Sequence, residues 1–139
     1  MTDTWVLPLP YRRPPLSLNQ KMHYMVEHKI KGELKQAAIV IAKQQRIPRL
    51  RACTAELVWF KGDNRRADSD NTSPTLKPLM DGLVAAGILP DDDSAHVFRT
   101  STRIVLKRDD PRPFQGPRLQ LHIRDMSALA GSNLPGFQR

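Results

Sequence analysis

Apolar residues recur along this chain at two different periods, and the order of those periods most narrows the folds open to it. Trp5, Leu7 and Leu9 alternate, as in a strand with one buried face. Pro8 and Pro10 confine that strand to a sheet edge, because proline cannot donate to an inner ladder. From His28 to Gln45 the spacing changes. Ile30, Leu34, Ala37, Ala38 and Ile41 fall on one helical stripe, and Pro48 ends the region. Thr54 to Phe60 is β-branched and aromatic and reads as a strand. Leu76, Leu79, Met80, Leu83, Val84 and Gly87 then return to helical spacing. Thr75 is the expected cap of that second helix, Pro78 falls in its first turn and Gly87 closes it. Val97 to Lys107 and Leu119 to Ile123 read as two further strands. The order β-α-β-α-β-β predicts an α+β fold: a single small domain with two main helices packed on a mixed sheet. Residues 1–126 form that domain, and the small, polar residues 127–139 are expected to be a flexible C-terminal tail.

Composition removes several classes. The longest apolar runs, Ala37 to Ala42 and Leu83 to Leu89, are too short for a membrane-spanning helix. No apolar signal segment opens the chain, and the one cysteine, Cys53, excludes an internal disulfide, so a reducing cytoplasmic setting is expected. His23, His28, His96 and His122 lack zinc-ligand spacing. No phosphate-binding glycine loop or nucleophile elbow occurs, and the residues after Asp70 do not complete a calcium loop.

The chain carries a formal charge of +8, which points to an anionic partner such as nucleic acid. That charge is unevenly spread. Residues 1–51 hold ten Lys/Arg against three Asp/Glu, and 94–139 hold eight against three. Residues 63–93 reverse the balance, with seven Asp against Arg65, Arg66 and Lys77. A protein that only coats DNA has no use for clustered carboxylates, which repel phosphate. One that holds a divalent cation against phosphate needs both signs together.

Two acidic sites stand out. Asp68-Ser69-Asp70 lies between a strand and a helix, and in an extended segment its two carboxylates would face the same way. Asp91-Asp92-Asp93 follows the same helix at its far end, so only the fold can bring the two sites together. If they meet, three carboxylates suit Mg²⁺ or Mn²⁺ and not zinc. Lys77 and Asp81, at i and i+4, read either as a surface ion pair or as a lysine directed at the same phosphate.

Taken together, Arg65-Arg66-Ala67-Asp68-Ser69-Asp70-Asn71, Leu76-Lys77-Pro78-Leu79-Met80-Asp81-Gly82-Leu83 and Ala86-Gly87-Ile88-Leu89-Pro90-Asp91-Asp92 resemble the RusA family of Holliday-junction resolvases of bacteria and their phages. Pro14-Pro15-Leu16-Ser17-Leu18-Asn19 is similar to the proline-rich segment after that family's first strand. The resemblance spans roughly residues 4–125, with Thr72-Ser73-Pro74-Thr75 forming a longer spacer than the short form of the motif. It implies a homodimeric endonuclease dependent on Mg²⁺, for which Mn²⁺ could substitute, with no small-molecule cofactor and no membrane. Asp68, Asp70 and Asp92 would be catalytic metal ligands, with Asp91 or Asp93 as alternatives to Asp92, and Lys77 the catalytic lysine. Arg65 and Arg66, nearest the site, are the expected DNA contacts. Its substrate would be branched DNA, above all four-way junctions in recombination and repair, resolved by paired symmetric nicks, in the bacterial cytoplasm at the nucleoid. A flap or fork nuclease and a non-catalytic DNA-binding protein are the alternatives. The second of these predicts that the carboxylates and the metal are dispensable.

Overall fold

The computed structural model describes residues 3–111 and 114–130, and at Asp70 the backbone alone. Four strands form one mixed sheet: β1 (Thr4–Leu9), β2 (Cys53–Phe60), β3 (Val97–Val105) and β4 (Arg118–Asp125), in the order β1-β4-β2-β3. β4 runs antiparallel to both β1 and β2, while β2 and β3 are parallel. β1 is an edge strand, as Pro8 within it requires, and Pro10 lies just beyond its end. One row of the ladder runs Leu7–Leu121–Leu57–Thr102 across all four strands. Three of those four side chains are fully buried. The fourth, on β3, is a threonine with a separate task at the site.

The two helices, α1 (Tyr24–Gln44) and α2 (Ser73–Ala85), share one core with this face of the sheet. Leu34, Ala38 and Ala42 of α1 and Leu76, Leu79 and Leu83 of α2 pack with Leu7, Leu57, Leu119, Leu121 and Ile123. Gly82 sets the closeness of the helices: a Cβ there would stand 2.5 Å from the Lys35 carbonyl oxygen and 2.8 Å from the Ala38 methyl.

Both helices start earlier than their apolar stripes. α1 gains Tyr24 to Glu27 because His23 Nδ1 accepts from the Met25 N–H at 3.1 Å, acting as the N-cap. Tyr24, Met25 and Val26 are exposed, so they add nothing to the buried stripe. α2 begins at Ser73, and Pro74 supplies the preformed first turn expected of Pro78. Pro78 lies inside the helix and Thr75 is not its cap. Thr75 is fully buried, and its hydroxyl donates to the Leu16 carbonyl at 2.7 Å and accepts the Leu16 N–H at 3.1 Å. At the other end the expectation holds. Gly87, with φ of 79°, is the C′ residue of a Schellman motif, its N–H bonded to Val84 and that of Ile88 to Leu83.

Residues 127–130 do not leave the domain freely. Ser127–Leu129 forms a 3-10 turn, and Ser127 Oγ accepts the Arg51 N–H at 2.9 Å. The remainder of the expected tail, 131–139, lies outside the described residues. Among the described residues no helix is long and apolar enough to cross a membrane.

Candidate active site

The parallel β2-α2-β3 crossover builds the site. Between β2 and α2 the backbone makes a 3-10 turn, Ser69–Thr72. Asp68 immediately precedes the turn and Asp70 lies within it, so the extended geometry expected to align their carboxylates is absent. The reason is the set of bonds that closes the turn. The Asn71 N–H donates to the Asp68 carbonyl at 3.2 Å. The hydroxyls of Thr72 and Thr102 both donate to the Ser69 carbonyl at 2.7 Å. Thr102 thereby anchors the turn to β3, which is why a polar residue ends the Leu7–Leu121–Leu57 row. On the other side the Leu18 N–H donates to the Asn71 carbonyl at 2.9 Å, holding the proline-rich connection against the same turn. The Asp70 side chain lies outside the described residues.

The second acidic site folds back along α2. Asp91 and Asp93 shape its backbone: Asp91 Oδ1 accepts the Asp92 N–H at 2.7 Å. Asp93 Oδ1 accepts the Ala95 N–H at 3.1 Å and meets His96 Nδ1 at 2.6 Å. Asp92 alone of the three reaches the helix, where its carboxylate bonds the Lys77 ammonium. Lys77 also donates to Asp81 at 2.9 Å. Lys77, Asp92, Ser73 and Thr100 line one hollow of about 200 Å³. The chain has therefore carried Asp92 from beyond the C-terminus of α2 back along the helix to Lys77, its fifth residue. The Asp92 and Asp81 bonds hold Lys77 charged, with its pKa raised above the ordinary lysine value. The Lys77 hydrogen bond in turn lowers the pKa of Asp92 below the usual carboxylate range.

Arg65 and Arg66 are both exposed on the loop that leads to Asp68. A residue that the sequence did not single out positions them. Lys61 is buried at the end of β2, its ammonium donating to the Arg65 carbonyl at 2.7 Å, 3.4 Å from Asp63 and 5.3 Å above the Trp59 ring. The Arg65 N–H bonds Asp63 Oδ1 at 3.0 Å, and this bond is the main cause of a lowered Asp63 pKa. Beside the turn opens a cleft of about 510 Å³, which Asp68 and Arg66 share with Arg13, Asn19, Gln20 and Trp59. The chain signal for this wall was the proline-rich segment ending at Asn19; nothing marked Arg13 or Trp59.

Among the described residues no three carboxylate, imidazole or thiol groups stand together as a cation cage. Asp68, Asp70 and Asp92 offer hard carboxylate oxygens only, a donor set that fits Mg²⁺ or Mn²⁺. No protein-family model matches the chain, and no curated protein matches it.

Proposed function

We propose that this chain is a RusA-like, Mg²⁺-dependent endonuclease that resolves four-way DNA junctions as a homodimer. The observation that supports it most is the Lys77–Asp92 pair. Residues fifteen apart, one in each of two motifs, meet beside the middle of α2, the helix that Asp68 and Asp70 precede in the chain. A surface ion pair within one helix, the Lys77–Asp81 contact, needs no such return of the chain.

Asp68, Asp70 and Asp92 would hold the metal. When bound, Mg²⁺ lowers the pKa of an attacking water and neutralises charge on the phosphate oxygens. Lys77, kept protonated by two carboxylates, supplies a positive charge for the phosphate as negative charge grows on it. The guanidinium groups of Arg65 and Arg66 bind flanking phosphates, in the fork geometry that suits them to oxyanions. Threonine bonds to Ser69 and the Leu18–Asn71 bond fix the turn, so the backbone that carries Asp68 and Asp70 need not be ordered at the moment of reaction. The basic flanks 1–51 and 94–139 hold the arms, and a C2 dimer matches the near two-fold symmetry of a junction with two sites.

The test is cleavage of a labelled synthetic junction, with and without Mg²⁺, by the native protein, Asp70→Asn and Lys77→Met, beside flap, fork and linear controls. Paired symmetric nicks that need the metal are expected, with losses of about 10²–10³ or more in the variants. Preferential cutting of flaps or forks would keep the site and change the substrate. Tight binding with no metal-dependent cleavage of any substrate would overturn the enzyme reading.

A further inference from the structure

The cleft beside Asp68 has a size and a lining that a duplex-binding surface does not need. At about 510 Å³ it falls within the range of clefts that enclose a small molecule, and it is too small to admit a double helix. Arg13 and Arg66 come from distant segments and bring two guanidinium groups to it. Asn19 and Gln20 add side-chain amides, which both donate and accept, as reading a base edge requires. Trp59 supplies an aromatic wall, and its indole N–H is buried with no hydrogen-bond partner among the described residues, a state folded proteins rarely leave unrelieved. Two cations, two amides and an aromatic ring around one nucleotide-sized space match the parts of a single nucleotide: phosphate, base edge and base face.

Resting on the endonuclease reading, we infer that this cleft is a subsite for one nucleotide of the cut strand, extruded from the stack at the branch point. Its phosphate lies between Arg13 and Arg66, and its base lies against Asn19, Gln20 and Trp59. Asp68 in the same wall places that nucleotide next to the scissile phosphate. Selectivity for branched DNA then has a local cause. Extrusion costs unstacking and unpairing energy in a linear duplex and less where a branch already interrupts the stack.

Photo-crosslinking tests this without turnover. A 4-thiothymidine is placed at one position at a time along a four-way junction and along a linear duplex. The protein is bound in EDTA, and the adducts are mapped by mass spectrometry. A maximum at one nucleotide beside the branch, joined to the segments holding Arg13 to Gln20 or Trp59 to Asp68, is the expected result. Arg13→Gln should lower that yield about tenfold while leaving junction affinity within a few-fold, because one charge-assisted pair among many phosphate contacts is lost. Equal yields along the arms, adducts mapped elsewhere, or an unchanged yield in Arg13→Gln would overturn the subsite. Cleavage is measured separately. A junction cut without the branch-point adduct keeps the nuclease and removes the subsite, whereas the adduct without cutting does the reverse.

Discussion

Single residues carry some of the fold's local costs, and two of them are measurable. Arg46 has φ of 55°, the left-handed region that an L side chain enters at a cost. It stands at C′ of α1, where its N–H bonds Lys43 and that of Ile47 bonds Ala42, the same Schellman geometry that Gly87 completes after α2. Arg46→Gly removes the Cβ penalty and keeps both bonds, so it should raise stability by about 0.5–1 kcal/mol in urea unfolding. No gain would mean that the arginine side chain compensates its backbone. Cys53 behaves in the opposite way to a reactive thiol. It is fully buried at the start of β2, and burial, with Asp125 nearby, pushes its pKa up to about 12. Reaction with a thiol-specific disulfide reagent near neutral pH should therefore proceed only at the rate of unfolding. Immediate labelling of the native protein would contradict the burial.

The two helices meet through Gly82, and the contact is intolerant of addition. Its nearest neighbours across the interface include the Lys35 carbonyl, a backbone atom that cannot rotate away. Gly82→Ala must separate α1 from α2 and should cost about 1–3 kcal/mol, despite alanine's higher helix propensity. Equal or greater stability would show that the helices slide apart cheaply. The sequence held no sign of this task, carrying Gly82 only as one residue of the Leu76–Leu83 motif, because the demand for it lies on the partner helix. The same division runs through the elements. Strand order along the chain, the edge position of β1 and the Gly87 terminus were legible, since period, proline and glycine act locally. The starts of both helices were not. α1 is opened by a histidine nitrogen in place of a preferred cap residue, and α2 is opened by Pro74 while Thr75 is committed to Leu16, 59 residues away. A polar side chain before a stripe looks the same whether it caps locally or clamps a distant strand connection.

Across the whole molecule, charge separation along the sequence becomes juxtaposition in space. The chain text could mark Asp92 and Lys77 as candidates but not their meeting, which depends on the 86–96 return along α2 and on Asp91 and Asp93 being spent on that turn. The cleft walls were less legible still, since Arg13 and Trp59 acquire a common neighbour in Asp68 only through the fold. On the proposed endonuclease reading, this arrangement would make the free protein a compromised DNA binder: a net +8 chain that presents its acidic segment where phosphate would have to lie. Asp92 would then act on binding in two ways when no metal is present, by repelling phosphate and by occupying the Lys77 ammonium. Asp92→Asn removes one negative charge and weakens one of the two bonds that hold Lys77. In EDTA at low ionic strength it should bind a four-way junction roughly two- to fivefold more tightly than the native chain, while its Mg²⁺-dependent cleavage is lost. The gain should shrink as salt approaches about 0.3 M, because exposed charges are screened over shorter distances. Fluorescence anisotropy of a labelled junction across a salt series measures this directly. A variant that folds normally and binds no more tightly would mean that phosphate does not approach Asp92, and a DNA path across another face would have to carry the +8 charge.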